Sequence, residues 1–139
     1  MIVCDTGPLV AAALANDSHH LACVRLFNEL HEAGRQLLIP PTVVAEVGYL
    51  LNRKAGPRIE SLFLRSLADG DFTAVDLTTT DYARMADLVA QYGNLPLGAT
   101  DASVVAVAER LKLTEVATLD RRHFAVIRPD HIGTFTLRP

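Results

Sequence analysis

Four acids stand out by their surroundings. Asp5 closes the apolar run Ile2-Val3-Cys4, Glu46 interrupts TVVAEVGYLL, Asp101 opens TDASVVAVAERL, and Asp120 closes EVATLD. Singly, each has an ordinary role open to it. Asp5 suits a helix cap or Asx-turn, Glu46 a side chain reaching solvent or an arginine, Asp101 a first-turn acid complementing the helix dipole, and Asp120 a turn acid paired with a neighbouring arginine. Jointly they point to chemistry. Two carboxylates about 5 Å apart repel by roughly 3 kcal/mol at an effective dielectric near 20, so four converging ones need compensation. Hard divalent cations such as Mg2+ or Mn2+ prefer oxygen ligands and supply it. They also acidify a bound water and offset charge on a phosphoryl group. No Ser/His or Cys/His nucleophilic set accompanies the acids, so phosphodiester hydrolysis is the natural chemistry of such a site.

Convergence depends on the elements that carry the acids. Ile2 to Asp5 reads as a strand, followed by a turn at Thr6-Gly7-Pro8 and a helix through Ala15. Asp17 or Ser18 caps a second helix that runs to about Ala33 and stops at Gly34. Leu37 to Ile39 is a buried strand ended by Pro40-Pro41. Thr42 then opens a helix to about Lys54, and Pro57 starts another ending near Gly70. Phe72 to Leu77 alternates as a strand would. Thr80 or Asp81 caps a helix closed by Gly93, and Thr100 to Leu113 forms the next. Val116 to Leu119 and Thr134 to Leu137 complete the strands. Strands alternating with helices predict an α/β/α sandwich around a mostly parallel central sheet. Ligands of such sheets bind beyond the carboxyl ends of the strands, where Asp5 and Asp120 fall. Glu46 and Asp101 share helix sides with apolar residues, Val43 and Leu50 for the first, Val104, Val105 and Ala108 for the second.

The 139 residues match one domain, and half of them are apolar, enough for a core without disulfides or zinc. The two cysteines, Cys4 and Cys23, form no CxxC pair or Cys/His cluster and read as buried free thiols of a reducing compartment. The N-terminus MIVCD lacks a signal-peptide pattern, and the apolar stretch Leu9 to Ala15 is too short to span a bilayer. A soluble, cytoplasmic protein is expected. Sixteen acids against thirteen bases give −3. Without the four named acids the balance is twelve against thirteen, or +1, so an acidic pocket on a near-neutral surface is compatible with a polyanionic substrate.

At these residues the sequence resembles the PIN-domain ribonucleases, and specifically the VapC-type toxins of toxin–antitoxin pairs. DTGPLVAAALANDSHH resembles the family's opening Asp-Thr at the end of the first strand. PPTVVAEVGYLLNR resembles the segment carrying the Glu, LGATDASVVAVAERL the segment carrying the third acid, and VATLDRRHF the closing Thr-x-Asp motif with its downstream Phe. The resemblance spans essentially the whole chain. It implies that Asp5, Glu46, Asp101 and Asp120 are the catalytic, metal-holding acids, with Asp5 and Asp101 direct ligands and Asp120 acting directly or through water. It implies that Thr6 and Thr118 support carboxylates or water. It further implies Mg2+ or Mn2+, an RNA substrate, homodimerisation and a cognate VapB-type antitoxin, for which a groove near residues 42–70 is a docking surface. Two positions depart from the pattern. Gly7 stands where many members carry Ser or Asn, and His123 where many carry a further acid.

Arg121 and Arg122, beside Asp120, suit phosphate contact and equally a solvated turn or ion pair. Arg53 and Lys54 fit a helix C-terminus. His19-His20 lacks the spacing of a helical metal pair, and Tyr49, Tyr82 and Tyr92 read as core or interface residues. Two other functions remain open at this level. One is a PIN-like binding module that has lost its chemistry. The other is a Mg2+-binding phosphoacceptor signalling domain, disfavoured because Lys54 and Lys112 fit helix ends better than a late-strand lysine position.

Overall fold

The computed structural model describes all residues from Met1 to Pro139. Five strands, β1 (Ile2–Cys4), β2 (Leu37–Ile39), β3 (Thr73–Ala74), β4 (Glu115–Ala117) and β5 (Thr136–Arg138), form one sheet in the order β3-β2-β1-β4-β5. Every neighbouring pair is parallel. β1 and β2 are buried at every residue, which explains why their sequences are continuous apolar runs rather than alternating ones.

Seven helices connect the strands. They are α1 (Thr6–Ala13), α2 (His20–Glu32), α3 (Pro41–Ala55), α4 (Pro57–Ala68), α5 (Thr79–Gln91), α6 (Ala99–Arg110) and α7 (Arg121–Phe124). Strand order runs outward from β1 to β3, then returns to β4 on the other side of β1. Right-handed crossovers therefore carry α1 to α4 over one face and α5 and α6 over the other, giving the expected layered sandwich. The order reverses between β1 and β4, and such a switch point leaves a crevice at the strands' carboxyl ends. α6 is the most enclosed helix: Ala102 to Glu109 are all buried, as an apolar sequence without a polar face requires. Cys4 and Cys23 are both free and buried.

Several local expectations are corrected. α1 begins directly at Thr6 with no intervening turn. α2 starts at His20 without a side-chain cap, because Asp17 accepts from the His19 N–H instead. The strand expected over Phe72 to Leu77 shrinks to two residues, since its only partner, β2, is three residues long. α5 is capped by Thr78, not Thr80 or Asp81. Asp81 occupies the third helical position and closes a reciprocal capping box. Of the core or interface positions expected for the tyrosines, Tyr49 and Tyr82 are exposed and so lie outside the core, while the Tyr92 hydroxyl accepts from the Arg128 N–H.

α5 is fixed to α6 by charge as well as by apolar packing. Arg84 donates to both Glu109 oxygens at 2.8 and 3.0 Å and reaches Asp130 at 3.2 Å. Burial pushes the Glu109 carboxyl up, but Arg84, the Asp130 N–H and His131 outweigh it and hold it below the ordinary 4.5. A depressed carboxyl adds stability above its unfolded value and loses it as pH falls through its folded value. Arg84→Ala, which strands the Glu109 charge, should cost about 3 kcal/mol at pH 7. In urea melts the gap between wild type and variant should narrow below about pH 4.5. A gap that stays constant through acid pH contradicts this assignment.

Candidate active site

The crevice at the switch point is built by the residues that follow β1 and β4. The Asp5 N–H donates to the Ala117 carbonyl at 2.8 Å, extending the β1–β4 pairing by one residue. That extension sets Asp5 beside Thr118. The Thr118 hydroxyl donates to Asp5 Oδ2 at 2.9 Å and accepts from the Asp120 N–H at 2.9 Å. One buried hydroxyl thus ties the first acid to the backbone of the fourth. Asp120 then turns the chain into α7. Its Oδ1 accepts from the His123 N–H at 3.0 Å, and its Oδ2 lies 2.9 Å from His123 Nδ1. The same Nδ1 lies 3.2 Å from Asp101 Oδ2, at the N-terminus of α6. A ligand atom from each of Asp101, Asp120 and His123 falls within 4.8 Å of the others.

The acids feel one another. Burial, then the charges of Asp101 and Glu46, push the Asp5 carboxyl from 3.8 to about 6, against the pull of the Thr6 N–H and the Thr118 hydroxyl. Burial also raises Asp101. The charges of Asp120 and Glu46 add to that, and His123 opposes it. Nothing cationic among the protein's own groups offsets Asp5. Such a carboxylate is costly in its charged form unless something positive joins it.

Glu46 differs from its sequence reading. It is exposed on α3 and makes no hydrogen bond or ion pair, so it sits at the rim rather than on an inward face. Its charge nevertheless registers at both Asp5 and Asp101, which puts it on the crevice side. Thr6 Oγ is buried next to Asp5 and has no hydrogen-bond partner, an unusual state for a buried hydroxyl. Arg121 reaches the Pro139 carbonyl and Arg122 is exposed without an ionic partner. Asp120 is paired with His123 and not with either arginine. Of the paired histidines, His20 is committed to the Ala11 carbonyl.

His123 is the residue that sequence reasoning missed as a member of the cluster. The signal was its three-residue spacing from Asp120, which aligns the two side chains on one helical turn. A four-residue helix shows no periodicity that would reveal it.

The donor set fits a divalent cation. It combines clustered carboxylates whose ionised forms lack compensation, an orphaned hydroxyl that a bound water can satisfy, and ligand atoms already a few ångströms apart. The carboxylates alone suit Mg2+ or Mn2+, and the adjacent imidazole is compatible with a first-row ion.

Comparison with known proteins agrees with this geometry. A family model described as PIN domain matches residues 2–128. The chain belongs to the PIN-domain family. This PIN domain is 33% identical over 138 residues to "Ribonuclease VapC26" of Mycobacterium tuberculosis, covering 99% of this chain and 100% of the relative. Its fold superimposes with a TM-score of 0.80 on Mycobacterium tuberculosis VapC20, described as a sarcin-ricin loop cleaving toxin. That match has 19% identity and covers all of both chains. FitAcB from Neisseria gonorrhoeae shares the fold at a TM-score of 0.63 and 18% identity, over 98% of this chain and 97% of that one. No helix of this PIN domain is long and apolar enough to cross a membrane.

Proposed function

We propose that this PIN domain, as a single unit over residues 1–139, is a metal-dependent endoribonuclease that acts as the toxin of a toxin–antitoxin pair. The observation that carries the reading is the set of acids at the sheet's switch point, with Thr118 tying Asp5 to Asp120 and His123 tying Asp120 to Asp101. Ribonuclease VapC26, 33% identical over nearly the full length, supports the substrate class. Asp5 and Asp101 would hold the cation, with Asp120 completing the cluster directly or through water. A divalent ion held there would lower the pKa of a bound water and offset charge on the phosphoryl oxygens.

The remaining roles fall to the protein's own groups. Thr118 fixes the Asp5 carboxylate and the Asp120 backbone in one arrangement. The unpartnered Thr6 hydroxyl offers a hydrogen bond to a water beside Asp5. Glu46, exposed and felt electrostatically by Asp5 and Asp101, would act through a water between the pocket and solvent. Arg122 is free to contact an RNA phosphate, whereas Arg121 would first have to leave the Pro139 carbonyl. Purified protein should cleave RNA with Mg2+ or Mn2+ and stop when EDTA is added. Cleavage unaffected by the chelator would contradict the reading.

The antitoxin is proposed to use an apolar cleft of about 260 Å³ between α1 and α4. Leu9 and Ala12 line one side, and Ile59, Leu62 and Phe63 the other, with Phe72 at its edge. Leu62 is half exposed there, so a charge at that position would be desolvated on docking at a cost of several kcal/mol. Leu62→Glu should leave cleavage intact, while co-expressed cognate antitoxin no longer relieves growth inhibition. Full relief of the variant would move the docking surface elsewhere. Homodimerisation belongs to the same proposal. Sedimentation should give about twice the 15.1 kDa chain mass, and a monomer at micromolar concentration would exclude it.

A further inference from the structure

The His123 ring lies within the acidic cluster and is not idle. Nδ1 lies 2.9 Å from Asp120 Oδ2 and 3.2 Å from Asp101 Oδ2. The side chain is only 18% exposed, comparable to the 20% of Asp101. Two features hold it in place. Asp120 Oδ1 caps α7 through the His123 N–H, which fixes the backbone. The following residue, Phe124, is fully buried and anchors the same turn. The imidazole is therefore positioned by the fold and not swung in by chance.

The spacing carries a second meaning. An octahedral ion with ligands at about 2.1 Å sets adjacent ligand atoms about 3.0 Å apart. The Nδ1 separations from the two carboxylate oxygens bracket that edge length. A proton can occupy the gap as a hydrogen bond, and a metal ion can replace it with little movement of the chain. Mg2+ is held by oxygen donors and water, whereas the affinity of a mixed nitrogen and oxygen site for first-row ions begins at Mn2+ and rises along the series.

We propose that His123 is a nitrogen ligand of the active-site cation, so that this PIN domain selects Mn2+ over Mg2+ through its Asp101/Asp120/His123 corner. The inference rests on the metal-dependent reading above. It adds that one coordinating atom is nitrogen and that the protein's ion preference follows from it.

The experiment is electron spin-echo envelope modulation of full-length protein loaded with Mn2+ alone, with affinity for Mn2+ and Mg2+ measured by titration calorimetry. Wild type should show coupling to a directly bound 14N. His123→Asp, which gives an all-oxygen site, should lose that coupling, keep its circular dichroism spectrum, and lower the Mn2+-to-Mg2+ affinity ratio by about tenfold or more. Bound Mn2+ without 14N coupling, or coupling that survives in His123→Asp, overturns the inference and leaves the metal-dependent reading standing. No Mn2+ binding by wild type overturns both.

Discussion

Asp5→Asn should abolish metal-dependent RNA cleavage and at the same time make the metal-free protein more stable. The loss of activity should exceed the 10–100-fold typical of removing a group that only supports a ligand, because Asp5 is proposed to hold the cation itself. The gain in stability comes from the same residue. Asp5 is 6% exposed, and burial with the charges of Asp101 and Glu46 raises it from 3.8 to about 6. The sign follows from linkage. A carboxyl raised in the folded state contributes stability that is complete below its unfolded value and is lost as pH rises through the folded one. The metal-free wild type therefore weakens between about pH 4 and pH 7. Asn cannot ionise, and its side-chain oxygen can keep the Thr118 hydrogen bond. At pH 8 the variant should be more stable by roughly 2–3 kcal/mol. Denaturant melts in EDTA at pH 5 and pH 8 check this, and a variant less stable than wild type at pH 8 contradicts it. A site that destabilises the empty protein is a site kept for binding.

Thr118→Val carries the second large effect, and its two consequences separate as well. The substitution keeps shape and removes one hydroxyl. That hydroxyl is a donor to Asp5 and an acceptor from the Asp120 N–H, in a residue 1% exposed. The N–H left without a partner costs about 1–3 kcal/mol. Asp5 also loses the side-chain donor that stabilises and orients its charged form, so cation affinity should fall by about 10–100-fold. Thr118→Ser retains the hydroxyl and should recover most of the affinity. Calorimetric titration of Mn2+ into the three proteins is the check. Equal affinity in wild type and Thr118→Val would show that the hydroxyl supports the fold alone.

The sequence made some of this site visible and hid the rest for identifiable reasons. Asp5 and Asp120 were legible because each ends a short apolar strand, and a parallel sheet exposes that end. Asp101 was legible only jointly with the others, because a first-turn acid also suits the helix dipole and its side of α6 is otherwise apolar. Thr118 followed from the resemblance, but its double hydrogen bond depends on β1 and β4 being neighbours, which strand order alone decides. Glu46 misled because an apolar run does not say which flank of a helix is buried. Val43 and Val47 face the core, whereas Glu46 lies on the exposed side with Ala45 and Tyr49. His123 was hidden in a helix of four residues, too short for periodicity to speak. Errors in the scaffold had the same local origin. Three successive threonines, Thr78 to Thr80, offer equivalent caps, and only the reciprocal bond with Asp81 selects the first. The alternation over Phe72 to Leu77 was genuine, but an edge strand extends no further than its partner allows.

If the clustered acids and their cation cut RNA, cleavage must depend on both. The most direct measurement maps cleavage ends in total RNA treated with wild type, wild type in EDTA, wild type with Mn2+ restored, and Asp101→Asn. The same discrete set of new ends should appear in the first and third samples, and none above background in the second and fourth. Ends that persist in EDTA or in a folded Asp101→Asn would place the chemistry outside this site.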